Sequence, residues 1–294
     1  MRDQIDPALI TADAARVARL ALDEDGAHDV TSEASVGATM TGRAVIEVRG
    51  DLVLAGCAYA DAVVEACGLP PIAWHAADGD RVRAGSVAGT LQGSLRGILR
   101  AERPLLNLLQ RSCGVATLTR AHVDAVQGTS CRILHTRKTT PGLRLFEVSA
   151  VLAGGGTRHR LDLANELMVK DNHWEALRAA GRTVQDALDM ARSAGVTSLQ
   201  VEVESIDQLG EALAAGATRI LIDNQAPDTV AAWVKFVRAS QPAVEVEATG
   251  GITLDTLGRY AMTGVDFINL GALTHSAPAA DLGLSIYRDE PPGT

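Results

Sequence analysis

Aromatic residues are scarce: Phe, Tyr and Trp together make up 3% of the 294 residues. Stacking surfaces are thereby disfavoured, and the cores must be built from aliphatic side chains. Positive charge is also in deficit. A net charge of -9 and a pI near 5.3 argue against nucleic-acid or anionic-membrane partners, since both demand a basic face. Any anion bound by this chain must be bound locally. The four cysteines (Cys57, Cys67, Cys113, Cys131) lie far apart, with no CxxC pair. Neither a zinc site nor a disulfide framework is indicated, and structural burial is expected for all four. No apolar run approaches the roughly 18 residues of a membrane span. The opening "MRDQIDPALI" lacks the basic region, apolar run and cleavage site of a signal peptide. A soluble, cytoplasmic protein is expected.

Against these absences stand 47% hydrophobic and 21% charged residues, the balance of a globular protein. The length suits a barrel-sized domain plus a smaller partner. "PALITADAARVARLALDED" has apolar residues at helical spacing and reads as an opening helix. "TMTGRAVIEVRGDLVLAG" alternates and breaks at Gly50-Asp51, which predicts antiparallel strands, and "DAVVEACGL" predicts a short helix. "DGDRVRAGSVAGTLQGS" is strand and turn again; it has the turns of a biotinyl or lipoyl carrier domain but no lysine to modify. "SLRGILRAERPLLNLLQRSCGVATLTRAHVDAV" is helical, and Pro104 predicts that two helices meet near Glu102 and Arg103, linking the two halves.

From about residue 131 the texture changes. The apolar segments "CRILHT", "ELMVK", "SLQVEVE", "TRILIDN", "AVEVEATGG" and "VDFINLG" alternate with helical patterns such as "TVQDALDMARSAG" and "PDTVAAWVKFVRAS". Such alternation builds a parallel sheet, and the repeat count favours an α/β barrel over an open doubly wound sheet. No GxGxxG follows the first strand to support a dinucleotide fold.

A barrel carries its active site at the carboxyl ends of its strands. Those ends are polar here: Thr136, Arg137 and Lys138; Lys170, Asp171 and Asn172; Glu202 and Glu204; Asp223 and Asn224; Thr249, Gly250 and Gly251; Asn269 and Gly271. Of 27 basic residues only Lys138, Lys170 and Lys235 are lysines, and two of these fall at strand ends. In an arginine-biased chain a lysine there points to a need for a compact ammonium rather than a planar fork. Glu202 and Glu204 are two apart and expected on one strand face, with Asp223 on the next strand. Carboxylates so placed suit Mg2+, with a salt bridge to Lys170 or an arginine as the alternative. "GGGTRHRLDL" sets Arg158, His159 and Arg160 after a glycine run. Residues 132–170 hold seven basic and three acidic side chains, an anion site within an acidic chain. Arg137 and Arg160 can grip carboxylates bidentately. "EATGGITLDTL" offers backbone amides and a helix N-terminus to a phosphate, with "NLGAL" closing the next strand. The reading is an acid-and-phosphate site with Mg2+.

"ERPLLNLLQ", "TRKTTPGLR", "GGGTRHRLDL", "MVKDNH", "VEVES", "LIDN", "EATGGI" and "LGALTHSAPAADLGL", with "EDGAHDVTS" near the start, span nearly the whole chain. In this order and spacing they resemble the quinolinate phosphoribosyltransferase family. The resemblance implies an N-terminal α/β sandwich domain, 1–115, and a seven-stranded α/β barrel, 116–294, with the end of the chain packing back onto the first domain. It implies conversion of quinolinate and phosphoribosyl pyrophosphate into nicotinate mononucleotide, pyrophosphate and CO2, with Mg2+. It also implies a homodimer with shared sites that assembles further. By motif, Arg137, His159, Arg160 and Lys170 would hold the quinolinate carboxylates, and Lys138 would stand between the acid and the pyrophosphate. Arg103 would enter from the partner subunit. Glu204 and Asp223 would face the ribose hydroxyls and Mg2+, and Thr249, Gly250, Gly251 and Gly271 would take the 5'-phosphate.

Some positions depart from the family pattern: Thr249 and Cys113 replace serines, His135 an aspartate and Val148 a lysine. Val148 leaves room for a diverged paralogue acting on another acid, whereas Lys170 argues against the molybdenum-associated branch. Two further readings compete. A Schiff-base barrel aldolase would use Lys170 but leave Arg137, His159 and Arg160 idle. A non-catalytic dicarboxylate-binding protein would bind quinolinate and release no pyrophosphate.

Overall fold

The computed structural model describes residues 5–164 and 166–288, the last by its backbone alone. The chain begins with α1 (Pro7–Glu24), α2 (Val30–Ser35), β1 (Thr41–Val48), β2 (Leu52–Val53), α3 (Cys57–Ala66), β3 (Ala73–Trp74), β4 (Arg81–Val82), β5 (Val87–Ser94) and α4 (Leu95–Ala125). It continues with β6 (Arg132–His135), α5 (Arg144–Ala153), β7 (Leu167–Val169), α6 (Asp171–Ala179), α7 (Val184–Ser193), β8 (Leu199–Val203) and α8 (Ile206–Ala214). Then come β9 (Arg219–Asp223), α9 (Pro227–Ser240), β10 (Glu245–Thr249), α10 (Leu254–Ala261), β11 (Phe267–Leu270), α11 (Ala272–His275) and β12 (Leu282–Arg288).

Two compact units emerge, and the first is discontinuous: Met1–Arg120, Lys138–Gly156 and Ala272–Thr294. Its larger sheet is antiparallel, ordered β12-β1-β5-β3, with β2 paired to β4 apart from it. The strands flanking Gly50-Asp51 therefore do not form a hairpin with each other. Asp51 instead accepts the Ala84 N–H at 2.8 Å, which ties the turn to the loop after β4. The chain's end does return: β12 pairs with β1 from Gly42↔Arg288 to Val48↔Leu282. Residues 289–294 lie outside the described residues. α1 starts where Asp6 accepts the Ala8 N–H and Pro7 pre-sets the first turn; it buries Ala14, Val17, Ala18 and Leu22 on one face. The core gathers Ile46, Leu54, Leu91, Ile98, Leu105 and Leu109 around Tyr59 and Phe146, which meet edge to face at 4.8 Å.

The expected break at Pro104 does not occur, because α4 runs unbroken for 31 residues with Pro104 inside. A proline in a helix interior costs about 3 kcal/mol. Leu105, Leu106, Leu108, Leu109, Cys113 and Val115 are all buried just beyond it. Each large apolar side chain so buried contributes roughly 1.5–3 kcal/mol, so together they outweigh the lost hydrogen bond. A division of the chain at 115/116 would fall inside this helix. Of the cysteines, Cys113 and Cys131 are buried as expected, whereas Cys57 and Cys67 are only partly so; all four are free thiols.

The second unit, Ala121–Arg137 and Thr157–Gly271, is a parallel sheet ordered β6-β11-β10-β9-β8-β7. Its first strand lies beside its last, and the others follow in chain order, the neighbour pattern of a barrel rather than of a doubly wound sheet. All six strands read from the sequence are present. The seventh implied by the resemblance is, among the described residues, a single bridge of Thr157 to Leu134 on the free side of β6. The glycine run before Thr157 and the charges after it are poor strand formers. Along β8 to β11 one face carries Val201, Val203, Ile220, Ile222, Val246, Ala248 and Ile268, all buried. The other face carries Gln200, Glu202, Arg219, Glu245, Glu247 and Asn269.

Candidate active site

Most of the candidate residues read from the sequence lie at or just beyond strand ends of the second unit. Arg137 follows β6 by two residues, Lys170 follows β7, Glu204 follows β8, Asp223 ends β9, Thr249 ends β10 and Gly271 follows β11. His159 and Arg160 come just after the Thr157 bridge to β6. Arg103 and Lys138 belong to the first unit, Lys138 being the residue at which the chain enters it.

Two arginines, Arg137 and Arg160, stand close to each other. Arg137 Nε is buried and has no hydrogen-bond partner. Burial, and then the neighbouring Arg137 guanidinium, push the Arg160 pKa below its usual value. Arg160 donates only a long 3.4 Å bond to the Glu166 carbonyl. Among the described residues neither guanidinium has a carboxylate within ion-pair distance. Like charges held together at such a site call for an anion.

His159 is arranged differently from its expected role. Its Nδ1 accepts the Arg160 backbone N–H at 2.8 Å, so the ring proton sits on Nε2, which faces Glu247 Oε2 at 3.6 Å. The His159 backbone N–H donates to His135 Nε2 at 3.1 Å, and His135 Nδ1 in turn donates to the Thr136 carbonyl at 2.9 Å. With its side chain 3% exposed and both nitrogens turned to protein groups, His159 shapes the backbone that carries Arg160. His135 thus acts as an acceptor for the His159 backbone.

Glu247 was missed in the sequence, although the alternation of Glu245 and Glu247 was as visible as that of Glu202 and Glu204. It is wholly buried on β10. Burial alone would raise its pKa, but His159, Arg219 Nη1 at 3.6 Å and the Asn269 amide at 2.6 Å outweigh that and hold it below the usual carboxylate value.

The paired glutamates are divided by the strand end. Glu202 lies on β8, almost buried, and forms an ion pair with Lys170, the residue just before α6. Trp174 Nε1 donates to the Glu202 carbonyl at 2.8 Å and fixes α6 against β8. Glu204 lies one residue beyond β8 and is exposed, its N–H capped by Gln208 Oε1 at 2.8 Å, because Ser205 starts α8 at once. The expectation that both glutamates share a strand face is therefore corrected. Lys170, paired with Glu202, is still 41% exposed.

Gln225 Nε2 donates to the carbonyls of Glu204 and Asp223, both at 3.2 Å, and so fastens the ends of β8 and β9. Asp223 Oδ2 accepts from the Asn224 amide at 2.7 Å. Among the described residues neither the Glu204 nor the Asp223 carboxylate has an ion-pair partner, and no group of three or more His, Cys, Asp or Glu side chains forms a closed metal site. Hard carboxylate oxygens are the donor type that Mg2+ takes, commonly one or two of them with substrate and water completing the shell.

The turn after β10 requires glycine. Gly250 has φ +87°, and a Cβ there would lie 2.7 Å from the Asn224 backbone nitrogen. Asn224 itself has φ 52°, the sole non-glycine residue with positive φ among those described, and its N–H donates to the Thr249 carbonyl at 3.1 Å. α10 follows, its start held by reciprocal bonds between Thr253 and Thr256. The loop thus brings bare backbone to a helix start, as a phosphate needs. Val148, the departure from lysine, is buried on α5.

Comparison with known proteins gives the family. The quinolinate phosphoribosyl transferase N-terminal domain family matches residues 29–113, and the corresponding C-terminal domain family matches residues 115–285. The chain is 41% identical over 285 residues to the nicotinate-nucleotide pyrophosphorylase [carboxylating] of Mycobacterium leprae, covering 93% of this chain and 98% of that one. It is 38% identical over 270 residues to the probable nicotinate-nucleotide pyrophosphorylase [carboxylating] of Bacillus subtilis, 90% of each chain. The structure of the nicotinate-nucleotide pyrophosphorylase from Francisella tularensis superposes with a TM-score of 0.88 at 30% identity, covering 98% of this chain and 99% of that one. By sequence along nearly its whole length and by fold, this chain belongs to the quinolinate phosphoribosyltransferase family.

Proposed function

We propose that the chain transfers the phosphoribosyl group of phosphoribosyl pyrophosphate to quinolinate with loss of CO2, giving nicotinate mononucleotide and pyrophosphate for NAD synthesis. The observation that carries this reading is the Arg137–Arg160 pair, two neighbouring guanidiniums with no carboxylate within ion-pair distance among the described residues. They match a planar diacid better than a monoacid. An aldolase using Lys170 would leave the Arg137–Arg160 pair without a task.

The C1'–O bond to pyrophosphate breaks and the pyridine nitrogen lone pair forms the N–C1' bond. Positive charge at C1' is stabilised by the Glu204 and Asp223 carboxylates near the ribose hydroxyls, and the departing pyrophosphate by Lys138 and by Arg103 of a second subunit. Mg2+, held by Glu204 and Asp223, would neutralise pyrophosphate oxygens. The Thr249–Gly250–Gly251 turn and Gly271 hold the 5'-phosphate, fixing C1' against the acid. The pyridinium nitrogen then takes up electron density as the C–C bond to the adjacent carboxylate breaks, and a proton replaces CO2 on that carbon. Lys138 is the candidate proton donor. The working unit is a homodimer in which each Arg103 completes the other subunit's site.

Product analysis tests the reading. Incubation with quinolinate, phosphoribosyl pyrophosphate and Mg2+ is expected to yield nicotinate mononucleotide and pyrophosphate, and nicotinate in place of quinolinate to yield none. Quinolinate binding without pyrophosphate release would instead identify a binding protein. Arg137→Lys and Arg160→Lys should each raise the KM for quinolinate on the order of tenfold or more, since a point charge replaces a bidentate fork.

A further inference from the structure

Glu147 is fully buried, a costly place for a carboxylate unless donors compensate. Its donors are specific. Arg111 of α4 places Nε and Nη2 at 3.1 and 2.6 Å from Oε1. Thr140 donates its backbone N–H to Oε2 at 3.0 Å and its hydroxyl to Oε1 at 2.7 Å. Thr140 lies two residues after Lys138. Arg111 also donates to the Thr274 carbonyl, and through Nη1 to the Ala277 carbonyl at 3.1 Å. Thr274, itself buried, donates its hydroxyl to the carbonyl of Lys138 at 2.8 Å. The peptide that carries Lys138 is therefore held twice, at its own carbonyl and two residues on, by groups tied to one arginine. All of these residues lie in the same compact unit.

Stability alone explains this arrangement poorly, because a buried ion pair can often be replaced by packed apolar groups with little or no loss. Polar bonds to the lysine's main chain serve geometry, and an error of about 1 Å at a reacting group can lower a rate on the order of a hundredfold. We propose that Thr274 and the Arg111–Glu147 pair are positioning residues for the transfer reaction, fixing the main chain from which the Lys138 ammonium acts. The inference rests on the role given to Lys138 above.

Thr274→Val removes the hydroxyl and keeps the shape. It should lower kcat on the order of tenfold while changing the dissociation constant of quinolinate by less than about twofold, and Thr274→Ser should restore most of the rate. Glu147→Gln should lower kcat in the same sense. A Thr274→Val enzyme with wild-type kcat, or a Thr274→Ser enzyme as slow as Thr274→Val, overturns the inference. Lys138→Ala is measured alongside: wild-type turnover there would overturn the role of Lys138, and the inference with it. A crippled Lys138→Ala beside an unaffected Thr274→Val would overturn the inference alone.

Discussion

A single buried carboxylate shows how burial and pairing compete. Glu247 has its pKa held below the ordinary 4.5 even though burial pushes the other way. A carboxyl whose folded pKa is lowered contributes stability above its unfolded pKa and loses that contribution as pH falls through the folded value. The wild-type melting temperature should therefore drop steeply below about pH 4.5, and Glu247→Gln should show a shallower acid limb. At neutral pH Arg219 keeps its Glu245 partner at 2.7 Å in this variant, so the loss in urea unfolding should be about 1 kcal/mol. An acid limb unchanged in Glu247→Gln would contradict the pairing. The cysteines follow from burial too. Desolvation pushes the Cys113 and Cys131 thiols up to about 12 and raises those of Cys57 and Cys67. Native protein should consequently react slowly with a thiolate-directed reagent near pH 8, and unfolded protein should titrate all four cysteines promptly.

Among the elements, the turn between β10 and α10 is the most exacting. Gly250→Ala would force a side chain into the left-handed region, at a cost of about 1–3 kcal/mol, with a Cβ against the Asn224 nitrogen besides. The expected result is a lower urea midpoint together with a raised KM for phosphoribosyl pyrophosphate. A Gly250→Ala enzyme with wild-type stability would show that the turn can relax. The β8 to β11 segments were legible because each is a short apolar run closed by a polar residue, the pattern of a strand buried on one face by helices. The two-residue strand β3 carries too little pattern to be read, whereas β2 and β4 fall within stretches that read as strand and turn. Pro104 misled for a different reason: local propensity favours a break, and burial of the leucines around it prevails. Glu204 misled because a strand period was extended one residue past the point where the Ser205 cap turns the chain into α8.

At the scale of the molecule, motif order identified the family, since loop chemistry is local. It implied that the end of the chain packs back onto the first domain, but not that β12 pairs with β1 or that α5 joins the N-terminal elements, because such pairings join residues far apart in the chain and leave no periodic trace. The proposed dimer is also a whole-molecule property, and it can be tested with two inactive chains. Arg103 is exposed on α4 and, among the described residues, makes no hydrogen bond or ion pair, as befits a residue whose partner lies elsewhere. If Arg103 of one subunit serves the site containing Lys138 of the other, then Arg103→Ala and Lys138→Ala should each be inactive as pure dimers. A hybrid, however, holds one site with both residues intact. Random mixing makes half the dimers hybrid with half their sites restored, so activity should recover to roughly a quarter of wild type. Exchange is checked by mass spectrometry of hybrids formed with one tagged chain. Hybrids that form and remain inactive would show that Arg103 and Lys138 serve one site within one chain, and would remove the shared site from the mechanism.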